Sequence, residues 1–390
     1  VKPDRNQNSA AVMPALAYYI SAHGYGHGVR SADIIRAFAR ACPAVPVIIV
    51  SDLTPDFLRN RLPGIDLVCR PGSFEPGMVQ VDSIRVDVDA TRPRIASLCE
   101  NWDKLVSQEA SFLEGNRVGV VVADIPAIPL AAAARVGLPR LAVGNFGWDW
   151  IYAEFKGADP SWDRIAAAFA GGYSEADLLL RLPFHEEMKS FPRIEDIPLV
   201  GGPGKARRAE LAALTGSDPR KRWVLLSFTT LGWDQDAIAA VEKIAGYEFF
   251  TVLPLAWNAR NIHAVDREQL PFRDILSSVD AVVSKPGYGI VSDCIVNSKP
   301  LLYAERSNFR EYAILEDAIR KHLRCSHLPS SMLYKGELLP GLERLLAAPK
   351  PDSPMPLGGE IVAARRIMEF GPWNRDRNHT PSRSPFQRSP

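Results

Sequence analysis

The sequence predicts a doubly wound α/β fold in two Rossmann-like halves, and three observations carry that prediction. Short apolar runs alternate with helical stretches over most of the 390 residues, the pattern of right-handed βαβ units on parallel sheets. The alternation stops near mid-chain, in a stretch rich in aromatic, Pro, Gly and Arg residues, and then restarts. In each half a glycine loop follows an apolar run: "AHGYGHG" at 22–28 and "KPGYG" at 285–289. Ligands of open α/β sheets sit beyond the carboxyl ends of the strands, which is where such loops fall.

In the first half, apolar runs at 16–20, 45–50, 65–69, 118–123 and 140–144 read as buried strands. Helical stretches at 29–41, 54–61, 93–114 and 126–136 lie between them. Residues 145–157 and 183–208 break the pattern and suit an interdomain connection. The second half resumes with strands at 223–228, 247–253, 280–284 and 300–304. Its helices are expected near 234–245, 272–278, from 287, and near 309–321. The expected organisation is an extension or tag at 1–12, with Met13 near the natural start, a first domain at 13–195, a linker at 196–210 and a second domain at 211–371. The polar, Pro-rich tail at 372–390 is expected to be disordered.

Composition narrows the function classes. With 46% hydrophobic and 23% charged residues and a net charge of +1, the chain has ordinary globular composition and no general attraction for nucleic acid or anionic membrane. No apolar run approaches the roughly 20 residues of a membrane span, and the N-terminus lacks the pattern of a secretory signal. Five cysteines form an odd set without a C-x-x-C pair. They weigh against a disulfide framework or structural zinc and point to a reducing, cytoplasmic compartment.

The opening loop admits three readings. Gly24, Gly26 and Gly28, with Asp52 after the second strand, resemble a dinucleotide fingerprint, but the third glycine comes one residue early and two imidazoles would crowd a pyrophosphate. The glycines could instead serve only a tight turn, with the histidines satisfying backbone groups. The third reading is a catalytic base: a His takes a proton from a hydroxyl at neutral pH when a carboxylate fixes its tautomer. Asp124, ending "VGVVVAD", is the candidate carboxylate.

The second loop offers backbone amides at a helix start, which favour a phosphate. Lys285 could add a cation and Asp293 could reach a ribose hydroxyl. Ser227, Thr229 and Thr230 in "SFTTLG" follow another strand and could face the same phosphates. Glu305, Arg306 and Glu311 follow the next strand, where one could bond sugar hydroxyls, although a charged run there is commonly a solvated face. Trp148, Trp150 and Tyr152 could form an aromatic acceptor platform or pack internally. The Asp87-Val88-Asp89 triplet has the D-x-D form of a metal site but no nucleotide context.

A base in one half and an anion cradle in the other is the layout of GT-B glycosyltransferases, and the motifs resemble that family. "AYYISAHGYGHGVRSADIIRAF" is similar to the G-H loop of plant glucosyltransferases and of the peptidoglycan GlcNAc transferase. The blocks "YYISAHGYGHGVR", "VVADIPAIPLAAAARVGLP", "NFGWDWIYAEF" and "SKPGYGIVSDCIVNSKPLLY" resemble the N-terminal, glycosyltransferase-like region of plant L-arabinokinase. A sugar-kinase region follows in that enzyme; no kinase-type Gly/Ser-rich ATP loop is visible in these residues, and kinase chemistry is not expected of them. The resemblance implies a catalytic His27 oriented by Asp124, a donor-diphosphate loop at Gly287, Tyr288 and Gly289, a ribose-binding Asp293 and a sugar-binding Glu311. His23 has no plant counterpart and could bind acceptor or phosphate.

The implied chemistry is inverting, metal-independent transfer from a nucleoside-diphosphate sugar, with uridine the expected base, to a small-molecule or lipid-linked acceptor. No cofactor beyond that co-substrate is expected, and neither nucleic acid nor a transmembrane segment. A sugar-nucleotide 2-epimerase or hydrolase, or a non-catalytic sugar-nucleotide-binding module, would share the fold and the cradle.

Overall fold

The computed structural model describes residues 13–374 except 158, 308 and 352. The expected extension at 1–12 and the tail from 375 lie outside the described residues.

Two parallel sheets form the frame. The first has seven strands in the spatial order Leu67–Arg70, Val47–Val50, Ala15–Ile20, Val118–Asp124, Arg140–Gly144, Leu178–Arg181 and Ile194–Asp196. Its central strands are buried along their whole length, which is why they read as unbroken apolar runs rather than alternating ones. The second has six strands, in the order Ile262–Val265, Tyr247–Val252, Arg222–Ser227, Ala281–Ser284, Leu301–Ala304 and Cys325–Leu328. Each sheet reverses direction of growth once: between Ala15–Ile20 and Val118–Asp124 in the first, and between Arg222–Ser227 and Ala281–Ser284 in the second. Such switch points open the crevice that binds ligands. Both glycine loops leave strands at these points, and the pairings Ile20 with Asp124 and Ser227 with Ser284 bring the flanking strand ends level.

Several boundaries differ from expectation. The helix expected from Val29 begins at Tyr25, with Gly24 as an extended N-cap, so His27 lies in its first turn. The stretch expected as one helix at 93–114 is two, Val88–Glu100 and Trp102–Gly115, broken at Asn101. Asp87 caps the former by accepting from the Ala90 amide at 2.8 Å, and Asp89 lies in its first turn. A small antiparallel hairpin, Val79–Gln80 with Val86–Asp87, leaves the first domain. Its tip places Ile84 in the apolar cluster of the second domain with Phe228, Leu231 and Trp233. Helix Gly359–Phe370, expected within the second unit, packs Ala363, Ala364 and Ile367 against Leu16, Ile35 and Phe38 of the first. The chain therefore crosses back to its starting domain, and Trp373 closes the contact with an indole hydrogen bond to the Pro14 carbonyl at 2.7 Å. Among the described residues no helix is long and apolar enough to cross a membrane.

Candidate active site

The helix starting at Tyr25 and the helix Tyr288–Val296 point their N-termini at one another across the domain boundary. Contact is backbone to backbone: a Cβ on Gly289 would stand 3.3 Å from the Gly26 Cα. Gly28 is required for a different reason, since a Cβ there would fall 2.6 Å from Leu53 Cδ1 and Phe57 Cε1. Free amides and the positive dipole ends of both helices thus border one cleft of about 680 Å³.

On the first-domain side, His27 Nδ1 lies 2.9 Å from Asp124 Oδ1. Asp124 is fully buried and also accepts from Ser31 Oγ at 2.8 Å and from Arg30 through Nε at 2.8 Å and Nη2 at 2.5 Å. Arg30 Nη1 then donates to Asn145 Oδ1 at 2.9 Å. Burial alone would raise the Asp124 pKa, but the Arg30 charge and bond, and then His27, outweigh it and hold the carboxyl well below its ordinary range. Burial, followed by the Arg30 charge, lowers the His27 pKa against the opposing pull of Asp124, so the imidazole is neutral at pH 7. Arg30 went unnoticed in the sequence. Its signal was available, because His27, Arg30 and Ser31 are spaced i, i+3, i+4 and share one helix face.

On the second-domain side, Ser227, Thr229, Thr230, Lys285, Gly287, Tyr288, Gly289, Asp293, Arg306 and Glu311 all border the same cleft. Lys285 makes no ion pair among the described residues, and burial, then the charge of Arg306, lowers its pKa to about 7. Glu311 is buried and accepts from Asn145 Nδ2 at 3.0 Å. The chain Asp124–Arg30–Asn145–Glu311 therefore joins the two halves of the site through hydrogen bonds. Tyr288 contributes backbone to the cradle while its ring packs 5.0 Å under the Arg30 guanidinium. Asp293 is engaged by Arg273 Nε at 3.1 Å, and the same guanidinium holds Asp33 of the first domain at 3.1 and 2.6 Å. The Thr230 amide donates to Ser83 Oγ of the hairpin at 3.0 Å; nothing in the sequence around Ser83 pointed to this.

Three expected site residues lie elsewhere. Glu305 turns away from the cleft, its carboxylate accepting from the Ser330 amide and hydroxyl and from His327 Nε2, each at 2.8 Å. Its role is to cap the turn at Ser330. Trp150 stacks under Arg310, 4.4 Å from its guanidinium, and borders a separate depression with Asp149 and His185. Tyr152 is core, stacked on Trp148 with ring centroids 5.4 Å apart. Of the aromatic cluster only Trp148 reaches the cleft wall, where its edge meets His23 at 5.3 Å. His23 borders the cleft, and burial together with His27, Arg306 and Lys285 brings its pKa to about 3. Among the described residues no group of three or more His, Cys, Asp or Glu side chains is placed to hold a metal.

No established family model matches the chain. In sequence it is 28% identical to L-arabinokinase of Arabidopsis thaliana over 390 residues, which cover 94% of this chain and 35% of that enzyme. The chain thus spans about a third of the length of the curated relative it matches. In structure it superposes on the glycotransferase of kitacinnamycin with a TM-score of 0.58 at 15% identity, covering 92% of this chain and all of the other. Arabidopsis thaliana UGT89C1 in complex with UDP-L-rhamnose gives 0.53 at 14% identity, covering 92% and 94%. Two Rossmann-like domains facing across a cleft, shared with these proteins over nearly the whole chain, make this the GT-B architecture.

Proposed function

We propose that the protein is an inverting glycosyltransferase that moves a sugar from a nucleoside diphosphate to an acceptor hydroxyl without a metal. One observation carries the reading: a neutral imidazole held by a buried carboxylate faces, across one cleft, a helix N-terminus furnished with an unpaired lysine. In this mechanism His27 carries its proton on Nδ1, toward the Asp124 carboxylate, and Nε2 accepts the acceptor proton. The acceptor oxygen forms the new bond to the anomeric carbon as the bond to the diphosphate breaks on the opposite face. The leaving group takes that electron pair, and the amides at Gly287–Gly289 and the Lys285 ammonium stabilise the charge. General-base assistance of this kind contributes roughly 10²–10⁴-fold. Asp124 then steadies the imidazolium until its proton is lost. The UDP-sugar bound by UGT89C1 makes uridine the base proposed here.

The test is product analysis. The full chain is incubated with UDP-sugars and a panel of hydroxyl acceptors, and products are read by mass spectrometry and proton NMR. A new glycoside of inverted anomeric configuration is expected. UDP released at a rate independent of acceptor would refute transfer in favour of hydrolysis, and retained configuration would refute the single-displacement mechanism.

A further inference from the structure

Arg306 is a donor-side cation whose guanidinium hydrogen-bonding is left incomplete by the described residues around it. It follows strand Leu301–Ala304 and is 8% exposed. One face of its guanidinium is covered by Phe309, 3.4 Å from the ring centroid. Its Nε and Nη2 are both buried without a hydrogen-bond partner among the described residues. Those two nitrogens form one edge of the guanidinium, with parallel N–H bonds that match the two oxygens of a carboxylate. Elsewhere this protein closes that edge with a carboxylate: Asp124 on Arg30 at 2.8 and 2.5 Å, Asp196 on Arg181 at 2.7 and 3.1 Å, and Glu195 on Arg366 at 2.9 and 2.8 Å. Two buried, unpaired N–H groups on a cation are costly unless a ligand pairs them.

The strand order shows which part of a ligand would do so. Along the carboxyl edge of the second sheet the cleft has three stations. Val252, Arg267 and Phe272 border one end; Lys285–Gly289, with the helix N-terminus, follows the central strand; Arg306 and Glu311 follow the next strand outward. Glu311 is tied through Asn145 to Arg30, and hence to the His27 site. A nucleoside diphosphate sugar with its phosphates at the central station and its anomeric carbon toward His27 places its sugar beside Arg306 and Glu311.

Resting on the sugar-nucleotide reading above, we propose that the donor carries a carboxylate on its sugar, a uridine diphosphate hexuronic acid, and that the Nε–Nη2 edge of Arg306 pairs with that carboxylate. Glu311 accepts from a sugar hydroxyl beside it. Neutral hexoses leave the Arg306 edge unpaired and bind more weakly for that reason.

The experiment is a calorimetric comparison of UDP, UDP-glucose and UDP-glucuronate on the full chain and on Arg306→Gln and Arg306→Lys. The wild type is expected to bind UDP-glucuronate about 10- to 100-fold more tightly than UDP-glucose, the range for a bidentate, charge-assisted pair. Arg306→Gln should erase that preference while holding UDP affinity within about threefold, and Arg306→Lys, which keeps charge but not the fork, should also lose most of it. Thermal melts of both variants confirm that they fold. Equal wild-type affinity for the two sugars overturns the proposal. A tenfold or greater loss of UDP affinity in Arg306→Gln also overturns it and assigns the arginine to the diphosphate. Failure of UDP itself to bind the wild type refutes the underlying sugar-nucleotide reading, and the proposal with it.

Discussion

Lys285 gives a quantitative test of the diphosphate cradle. Burial, reinforced by the neighbouring Arg306 charge, lowers its pKa to about 7 in the ligand-free cleft. A diphosphate placed beside it favours the ammonium and raises the pKa toward the ordinary value for lysine. The affinity it supports is therefore complete below pH 7 and is lost as pH rises from 7 toward the pKa of the complex. If that pKa returns to about 10, affinity falls by about 25-fold between pH 6.5 and 8.5, and at pH 7.5 binding takes up about 0.8 proton. His23, at about 3, and Arg306, at about 10, do not titrate in this window. The assay is calorimetric titration with UDP-glucose, whose phosphates are fully ionised throughout, in two buffers of different ionisation enthalpy. Lys285→Arg is the control, since its charge is fixed and its profile should be flat. A wild-type affinity constant across pH 6.5–8.5, with heats independent of buffer, would refute the placement of the diphosphate at Lys285.

Other expectations concern stability and the domain contact. Glu75 is buried, with Oε2 lacking a hydrogen-bond partner, and burial raises its pKa to about 8 despite a bond from Ser21. The folded pKa exceeds the unfolded one, so stability present below about pH 4.5 is lost as pH rises toward 8. Glu75→Gln should therefore stabilise the protein by up to about 3 kcal/mol at pH 7 and have little effect at pH 4.5; denaturant titrations at both values would show equal effects if the carboxyl were ionised in the fold. Asp33→Asn breaks the paired bonds from Arg273 that tie the domains together. It should cost about 1.5–3 kcal/mol, measured by urea unfolding, and a loss below 0.5 kcal/mol would mean that the contact does not hold the domains.

Much of this architecture was legible because parallel strands buried on both faces must be apolar along their length. "VGVVVAD" and "VPVIIV" announce themselves, and the strand-end loops then locate the cleft. Short strands carried no such signal: "IHAV" and "CSHL" have polar residues and partly exposed positions at the sheet edges. The helix from Tyr25 starts earlier than expected because glycine argues against helix, yet here Gly28 answers to the crowding of Leu53 and Phe57, which lie outside that helix. The pairing of His27 with Asp124 followed from both residues standing at strand ends on one edge. Glu305 departs from expectation because side-chain direction after a strand depends on where Ser330 and His327 arrive, and no local pattern encodes that. Ser83 and the return of the last helix are long-range contacts of the same kind.

The two sides of the cleft can be separated in one set of samples. UDP affinity and sugar transfer are measured together for wild type, His27→Ala and Gly287→Phe. Gly287 has extended backbone, and a Cβ there meets nothing within 4 Å, so the phenylalanine variant folds and fills the cradle. His27→Ala is expected to keep its UDP affinity within about threefold while transfer falls roughly 10²–10⁴-fold, and Gly287→Phe to lose UDP binding at an unchanged melting temperature. Transfer surviving in His27→Ala, or UDP bound as tightly by Gly287→Phe as by wild type, would contradict this assignment of the two sides.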